Sequence, residues 1–242
     1  MKNFDDAAIT NALKTGRFKV LEDDESGIML QAKFSELVFF KQPDMKTAKK
    51  WLIDHAKQCQ EYPLICLRDS KSKAAFQEVY PNRITEACFE YRWPVSSIAR
   101  EEFESDLAIE PARPDDLSYV LDHYDLADED EIRQGIANGE LFIAKLNGRR
   151  IGRAGFHLEG SMGLLEIDPK EQGKGYGKAL EAYVIDQALQ KGWIPYCDVF
   201  AKNIISQNLQ EKMGLIKNPE QVYWSAADME IDQAENEKNQ GK

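Results

Sequence analysis

The segment Leu164–Ala188 reads LLEIDPKEQGKGYGKALEAYVIDQA, and three glycines fall within its run Gln172–Lys178. An apolar, strand-like run comes first and meets Asp168-Pro169, where the strand is expected to end because proline donates no ladder hydrogen bond. Apolar residues at helical spacing begin after Tyr176. The order of strand, glycine-rich loop and helix indicates a site for a negatively charged ligand.

Two physical features favour a diphosphate as that ligand. Glycines allow successive backbone N–H groups to converge, and the start of a helix adds the positive end of its dipole. Two lysines in the loop add positive charge. We therefore predict a diphosphate site formed by the backbone of Gln172, Gly173, Lys174, Gly175, Tyr176, Gly177 and Lys178.

Three other interpretations of the loop fit the residues less well. A P-loop requires G-x-x-x-x-G-K-[ST], and Gln172 and Ala179 break both ends of that pattern. A dinucleotide fingerprint requires G-x-G-x-x-G, whereas the spacing here is G-x-G-x-G. Asp198 lies at about the right separation for a ribose contact but falls inside the next strand. An idle turn would carry the entropic cost of its glycines without a ligand.

Composition and charge argue against several classes of protein, among them nucleic-acid-binding and membrane proteins. The chain has 242 residues, a formal net charge of −11 and a pI of about 4.9. Because phosphate backbones need a cationic footprint, this balance argues against a nucleic-acid partner. No apolar run reaches the length of a membrane helix, Met1–Ala12 lacks a signal-peptide core, and the cysteines lack metal-binding spacing. We expect a cytoplasmic protein with buried free thiols, no membrane contact and no metal.

Glycine is distributed unevenly along the chain. Only Gly16 and Gly27 precede Asp106, so the C-terminal half is the better place for a ligand site. The charged stretch Ala99–Asp106 precedes a new strand, and we place a domain boundary there. The prediction is an N-terminal α/β domain over 1–106, a second domain over 107–225 and a polar, acidic tail over 226–242.

Apolar periodicity and turn residues predict the elements of both halves. The first half is expected to contain a hairpin, a helix and two further strands flanking a short helix: Gly27–Ala32 with Glu36–Lys41, Met45–Gln60, Leu64–Leu67, Lys73–Val79 and Ala87–Trp93. The second half follows the order β-α-α-β-β-β-α-β-α-β, with a type I′ turn at Asn147-Gly148 and a final strand over Gln221–Ser225. Gly192 and Gly214 are expected to end helices.

A faint internal echo links the two halves. Leu64–Val79 and Cys197–Lys212 share the pattern of strand, polar turn and helix, including a Gln-Glu pair at the same place. A tandem duplication and two ordinary βαβ segments both account for this pattern.

Two motifs in the second half resemble one family. Gln172-x-x-Gly175-x-Gly177 resembles the Q/R-x-x-G-x-G/A pyrophosphate motif of the GNAT superfamily of N-acyltransferases. The run from Asn203 to Leu215 is similar to the family segment N-x-x-S/A-x-x-L/F-Y-E-K-x-G-F. The resemblance covers 107–225 and implies a GNAT-like α/β (α+β) fold, with a mixed, mostly antiparallel central sheet flanked by helices. A smaller α/β domain, which could be a degenerate copy, would precede it.

The resemblance implies an activity and a set of site residues. Such a protein would bind acetyl-CoA and transfer the acetyl group to a primary amine of a small molecule or peptide, by direct attack in a ternary complex. The backbone of Leu165, Glu166 and Ile167 would pair with the pantetheine arm, and Asn203 and Ser206 would contact that arm or a water molecule. Glu166 is the candidate general base, and two alternatives at the exit of the preceding strand are His157 and Glu159.

One position departs from the family pattern. The tyrosine that often protonates the departing thiolate falls at position 210, which is Gln210 here. Glutamine is not a useful proton donor, so Tyr223, a water molecule or no acid at all would serve that step. The same departure keeps a second hypothesis open, in which the chain is a non-catalytic acyl-CoA-binding module.

Overall fold

The computed structural model describes residues 6–60, 64–103, 105–122 and 129–226. The chain folds into two compact units, each built from segments that are distant in sequence. The first holds the described residues up to Thr15 together with Tyr91–Cys197 and Ile205–Ile216. The second holds Gly16–Glu90, Asp198–Ile204 and the described residues from Lys217 onward. The division near residue 106 stays a prediction about domains, and the predicted tail from residue 227 onward lies outside the described residues.

Helices and strands alternate along the described chain. The helices are α1 (Ala7–Thr15), α2 (Met45–Asp54), α3 (Ala56–Gln60), α4 (Ser70–Val79), α5 (Leu117–Leu121), α6 (Glu129–Ala137), α7 (Tyr176–Gln190) and α8 (Ile204–Met213). The strands are β1 (Phe18–Asp23), β2 (Ile28–Ala32), β3 (Leu37–Lys41), β4 (Leu64–Leu67), β5 (Glu86–Arg92), β6 (Ala108–Pro111), β7 (Leu141–Leu146), β8 (Arg149–Phe156), β9 (Met162–Ile167), β10 (Tyr196–Phe200) and β11 (Ile216–Ala226). Short 3-10 turns occupy Arg100–Phe103, Pro114–Asp116 and Pro169–Glu171.

A seven-stranded sheet has the order β1-β2-β3-β4-β11-β5-β10. The predicted hairpin is present as antiparallel β2 and β3, and β4 then lies parallel to β3. The final strand, β11, is longer than the predicted Gln221–Ser225 and runs antiparallel to β4, with Tyr223 opposite Leu67. A mixed, mostly antiparallel sheet flanked by helices is therefore present, as the family resemblance implied.

Helices α2 and α4 build the core of the second unit. Aspartates cap both, because Asp44 accepts a hydrogen bond from the Thr47 N–H and Asp69 accepts one from the Ser72 N–H. The predicted helix over Met45–Gln60 is interrupted at His55, which leaves helical geometry with φ −109° and ψ 33°. Apolar side chains of both helices pack on the strands, in a cluster of Met29, Val38, Phe40, Trp51, Leu52, Ile65, Leu67 and Phe76.

A four-stranded antiparallel sheet, in the order β6-β7-β8-β9, lies in the first unit. Its β7–β8 turn has positive φ at Asn147 (51°) and Gly148 (80°), as a type I′ turn requires. Helix α7 packs against β8 and β9, and on this face the rings of Phe142 and Tyr183 meet edge to face at 5.1 Å. Val120 of α5 and Ile132 of α6 pack with Ile143 in a separate cluster. Because neighbouring residues of a strand face opposite sides, this cluster covers the other face of the sheet.

Candidate functional site

The glycine loop leads from the end of β9 into α7. Gly173 and Gly175 both have left-handed backbones, with φ of +77° and +90°, and Gly175 is the N-cap residue of α7. No atom lies within 4 Å of the Cβ position at either glycine. Backbone conformation, and not lack of space in the protein, is therefore the reason that glycine suits these two positions.

The amides of this loop are available to a ligand. The N–H groups of Lys178 and Ala179 both donate to the Gly175 carbonyl, at 3.0 and 3.3 Å. Within the described ranges, no protein atom accepts a hydrogen bond from the N–H groups of residues 173–177. These amides stand at the N-terminus of a 15-residue helix, where the helix dipole favours an anion.

Charged side chains hold the loop on its β9 side. Lys174 donates to Glu171 at 2.7 Å, and Arg149 donates to the same carboxylate. The Lys174 contact, together with that of Arg149, lowers the pKa of Glu171. Lys174 is still 53% exposed, so its ammonium can exchange this partner for a ligand phosphate.

Strand β9 is the last strand of its sheet and leaves one backbone edge without a neighbour in that sheet. The Asp168 N–H donates to the Ile151 carbonyl at 2.7 Å, which makes these residues a hydrogen-bonded pair. Hydrogen-bonded and non-hydrogen-bonded pairs alternate in an antiparallel ladder. The next pair, Gly152 and Ile167, is thus non-hydrogen-bonded, and the N–H and C=O of Ile167 face the open edge.

The neighbouring residue, Glu166, has the opposite orientation. It lies across from Arg153 in the next pair, so its backbone groups face β8. Its carboxylate accepts a hydrogen bond from Arg153 Nη2 at 2.7 Å, and the side chain is 38% exposed. At the open edge, Gln172 Nε2 donates to the Ile167 carbonyl at 2.8 Å and so ties the glycine loop to the strand.

His157 and Glu159 lie at the opposite end of β9 from the glycine loop. Glu159 is 3% exposed and accepts a hydrogen bond from the hydroxyl of Ser161. The imidazole of His157 lies against Gly163, where a Cβ atom would come within 2.2 Å of Nε2. The structure does not bring these two alternative bases to the loop, and their contacts are those of a packed hairpin turn.

The predicted residues of the second motif lie on or beside α8. Asn203 precedes the helix and donates its backbone N–H to Phe200 at 2.9 Å, and Ser206 lies in the first turn, half-buried. Gln210 is 3% exposed, and its Oε1 atom has no hydrogen-bond partner among the described residues. Tyr223, the alternative acid, lies on β11, where its hydroxyl donates to Gln221 at 3.4 Å.

Sequence reasoning missed two buried charged residues in this region. Arg153 is 2% exposed, and Glu181 of α7 is 4% exposed and hydrogen-bonded to Gln210. The sequence contained a signal for both residues. Each is a charged residue within an apolar run, at a position that the strand or helix period assigns to the buried face. Asp198, considered as a ribose contact, instead binds the guanidinium of Arg68 at 2.7 Å, which disfavours the dinucleotide interpretation.

Two absences apply to the described part of the chain. None of its helices combines the length and apolarity needed to cross a membrane. Its His, Cys, Asp and Glu side chains form no group of three or more that could hold a metal ion. All four cysteines are buried thiols outside any disulfide bond.

Comparison with known proteins identifies one family. The model of the Acetyltransferase (GNAT) family matches residues 92–215, which is more than half of the chain. The comparison with curated proteins returns no match.

Solved structures share the fold over nearly the whole chain. A Drosophila protein has a TM-score of 0.69 at 14% identity, covering 91% of this chain and 89% of its own. A GCN5-related N-acetyltransferase from Kribbella flavida has a TM-score of 0.63 at 11% identity, covering 91% and 95%. A GCN5-related N-acetyltransferase-like protein from Streptococcus suis has a TM-score of 0.60 at 14% identity, covering 93% and 94%.

Proposed function

Because the chain belongs to the GNAT acetyltransferase family, we propose that it transfers the acetyl group of acetyl-CoA to a primary amine of a small molecule or peptide. The observation that carries this proposal is the set of unpaired amides at residues 173–177, placed directly after the open edge of β9. An extended ligand with a diphosphate at one end fits this arrangement. The acceptor attacks the thioester directly, in a ternary complex.

Two parts of the site bind two parts of acetyl-CoA. The loop amides and Lys174 bind the diphosphate, and Ile167 and Leu165 offer backbone groups to the pantetheine arm, which adds to the strand edge as a peptide would. Glu166 contributes through its side chain, since its backbone faces β8. Asn203 and Ser206 contact the pantetheine arm or a water molecule beside it.

Glu166 is the proposed general base. A lysine-like acceptor amine has a pKa of about 10.4, so most of it is protonated at neutral pH and must lose a proton before attack. Glu166→Gln keeps an acceptor for the Arg153 hydrogen bond but cannot take that proton. We expect kcat at pH 7 to fall about 100-fold, with unchanged acetyl-CoA affinity, and to fall less at pH 9, where the neutral fraction of such an amine is about 100-fold larger than at pH 7. Equal rates at pH 7 would assign proton removal to another group.

The departing CoA needs little assistance. A thiol with a pKa of about 8.5 gives a thiolate that is a fair leaving group without an acid. Gln210 cannot supply a proton, so a water molecule protonates the thiolate after the C–S bond breaks. If water protonates the thiolate, a protein with an intact glycine loop and with glutamine in place of the family tyrosine can still catalyse the transfer.

Gly175→Glu tests the cofactor site. The new carboxylate would place negative charge and bulk where the diphosphate binds, and we expect acetyl-CoA affinity to fall more than about tenfold, or about 1.4 kcal/mol. Gly192→Glu is the matched control, because Gly192 ends the same helix with φ +71° and also has no atom within 4 Å of its Cβ position. Titration calorimetry measures both variants, and wild-type affinity for acetyl-CoA in Gly175→Glu would refute the site.

A non-catalytic acyl-CoA-binding module is the second candidate, and Gln210 in place of tyrosine favours it. Thiol release from acetyl-CoA, measured with a broad panel of primary amines, separates the two functions. Turnover with any amine establishes the transferase, whereas tight binding without turnover across the panel supports the module.

A further inference from the structure

Arg153 of β8 carries a charge into the interior of the first unit. Its guanidinium donates from Nη1 to the Leu164 carbonyl at 2.5 Å and from Nη2 to the Glu166 carboxylate at 2.7 Å. A buried charge is costly unless it is paired and hydrogen-bonded. The planar guanidinium is paired through two of its nitrogens, which hold a backbone carbonyl and a carboxylate of the same strand at once.

The carbonyl that Arg153 holds belongs to an irregularity in β9. The register pairs Arg153 with Glu166 and Gly155 with Gly163, so one residue of β8 stands against two of β9, Leu164 and Leu165. Such a bulge changes the direction of the backbone groups near it.

Leu164 has a left-handed backbone, with φ of +58°. Residues other than glycine rarely adopt this backbone conformation. Where they do, contacts with the surrounding structure hold the backbone in place. Two contacts do so here: the Leu164 side chain, 9% exposed, packs with Val120 and Ile143, and the Arg153 guanidinium holds its carbonyl.

We propose that Arg153 is a positioning residue for acyl transfer, which aims the Leu165 N–H at the carbonyl oxygen of the thioester. A trans peptide is planar, so its C=O and N–H point in opposite directions. The Leu164 carbonyl points at the buried guanidinium, and the N–H of the same peptide, on Leu165, therefore points away from it. Leu165 lies in the bulge and has no one-to-one partner in the β8 register. This inference rests on the proposed acyl-CoA site along β9.

The chemistry needs a donor at this position. As the amine nitrogen forms its bond to the thioester carbon, the carbonyl oxygen gains negative charge, which an N–H donor stabilises. Glu166 has taken one proton from the amine before this attack. The C–S bond then breaks, its electron pair leaves with sulfur as the CoA thiolate, and the surplus proton on nitrogen passes through a water molecule to that thiolate. Because the same guanidinium holds Glu166, Arg153 keeps the donor and the base in one geometry.

The test compares the full-length wild type with Arg153→Met, Arg153→Lys and a control, Arg150→Met. Arg150 lies on the same strand and pairs with Asp116 at 2.6 Å, away from the bulge. The probe is acetyl-CoA labelled with ¹³C at the thioester carbonyl. Isotope-edited infrared spectroscopy of the bound probe reports the polarisation of that carbonyl without an acceptor, and calorimetry reports its affinity.

We expect the carbonyl stretch of the bound probe to shift to lower frequency in the wild type and in Arg150→Met, and to lose most of that shift in Arg153→Met. With the best amine of the panel, kcat of Arg153→Met should fall about 100-fold, the loss typical of one missing oxyanion donor. The KM for acetyl-CoA should stay within about threefold, because the diphosphate site is intact.

The proposal would be overturned if Arg153→Met folds and has the same carbonyl frequency and the same kcat as the wild type. Should Arg153→Met fail to fold, Arg153→Lys decides the question, because one ammonium cannot hold both partners in the geometry of the fork. A partial loss of the shift and of kcat supports the proposal, and unchanged values overturn it. Failure of the wild type to bind acetyl-CoA is a different outcome, which refutes the proposed function itself.

Discussion

At the scale of single residues, Glu181 shows how a buried carboxyl couples the stability of this protein to pH. It lies within an apolar stretch of α7, between Leu180 and Ala182, and is hydrogen-bonded to Gln210 of α8. Burial raises the pKa of Glu181 to about 7, and the Gln210 hydrogen bond opposes that rise in part. The side chain therefore stays largely protonated in the folded state at pH values where an unfolded chain would ionise it.

The sign of the resulting pH dependence follows from linkage. The folded-state pKa of Glu181 lies above the ordinary value of 4.5, so the folded state binds the proton more tightly. Stability from this group is fully present below pH 4.5 and is lost as pH rises through about 7. Complete loss amounts to about 3 kcal/mol.

Glu181→Gln removes this titration and keeps a polar partner for Gln210. Between pH 5 and pH 8, we expect the free energy of unfolding of the variant to fall less than that of the wild type, by up to about 3 kcal/mol. Urea unfolding at both pH values measures the difference. Glu78→Gln is the control, since that side chain is 56% exposed. Equal pH dependence in Glu181→Gln and the wild type would contradict the buried titration.

At the scale of elements, three parts of the second unit share one buried ion cluster. Arg68, which follows β4, binds Glu90 of β5 and Asp198 of β10. The side chains of Arg68 and Glu90 are each 1% exposed and that of Asp198 is 8% exposed. Removing the cation from such a cluster leaves buried negative charge, which costs far more than losing a surface pair.

Arg68→Met tests this difference. We expect it to lower the free energy of unfolding by about 3–5 kcal/mol in urea titrations. Lys49→Met breaks a pair with Glu78 whose side chains are 39% and 56% exposed, and it should cost less than about 1 kcal/mol. Similar losses in the two variants would show that the cluster contributes no more than a surface ion pair.

The elements of the candidate site differ in how far they follow from local sequence. The loop Gln172–Lys178 and the start of α7 were predictable, because glycines before a helical run determine backbone geometry within a few residues. The bulge of β9 was not. Its Leu164 is a leucine with positive φ, a conformation that packing and the Arg153 contact impose from outside the segment.

For the whole molecule, the order of elements in the second half was predictable from periodicity and turn residues. The β7–β8 turn and the helix-ending glycines, Gly192 and Gly214, have the positive φ that these local signals require. The interruption of the predicted helix at His55 was missed, since no proline or glycine marks it. Helix α1 and strand β1 were also missed.

Local periodicity and turn residues did not predict which distant strands pair with each other. The final strand, β11, was predicted as an element, but its place beside β4 joins residues about 150 positions apart, as with Tyr223 and Leu67. The compact units likewise combine segments that are distant in sequence. No local propensity encodes which strand becomes the neighbour of which.

The amino-acid sequence alone determined the family, the glycine loop and the helix that begins there, because each depends on a few adjacent residues and their backbone preferences. Tertiary structure alone decided that β9 has an open edge, that Glu166 is paired with Arg153, and that Glu181 meets Gln210 in the interior. These features depend on contacts between residues separated by 13 positions or more, and burial makes each contact strong.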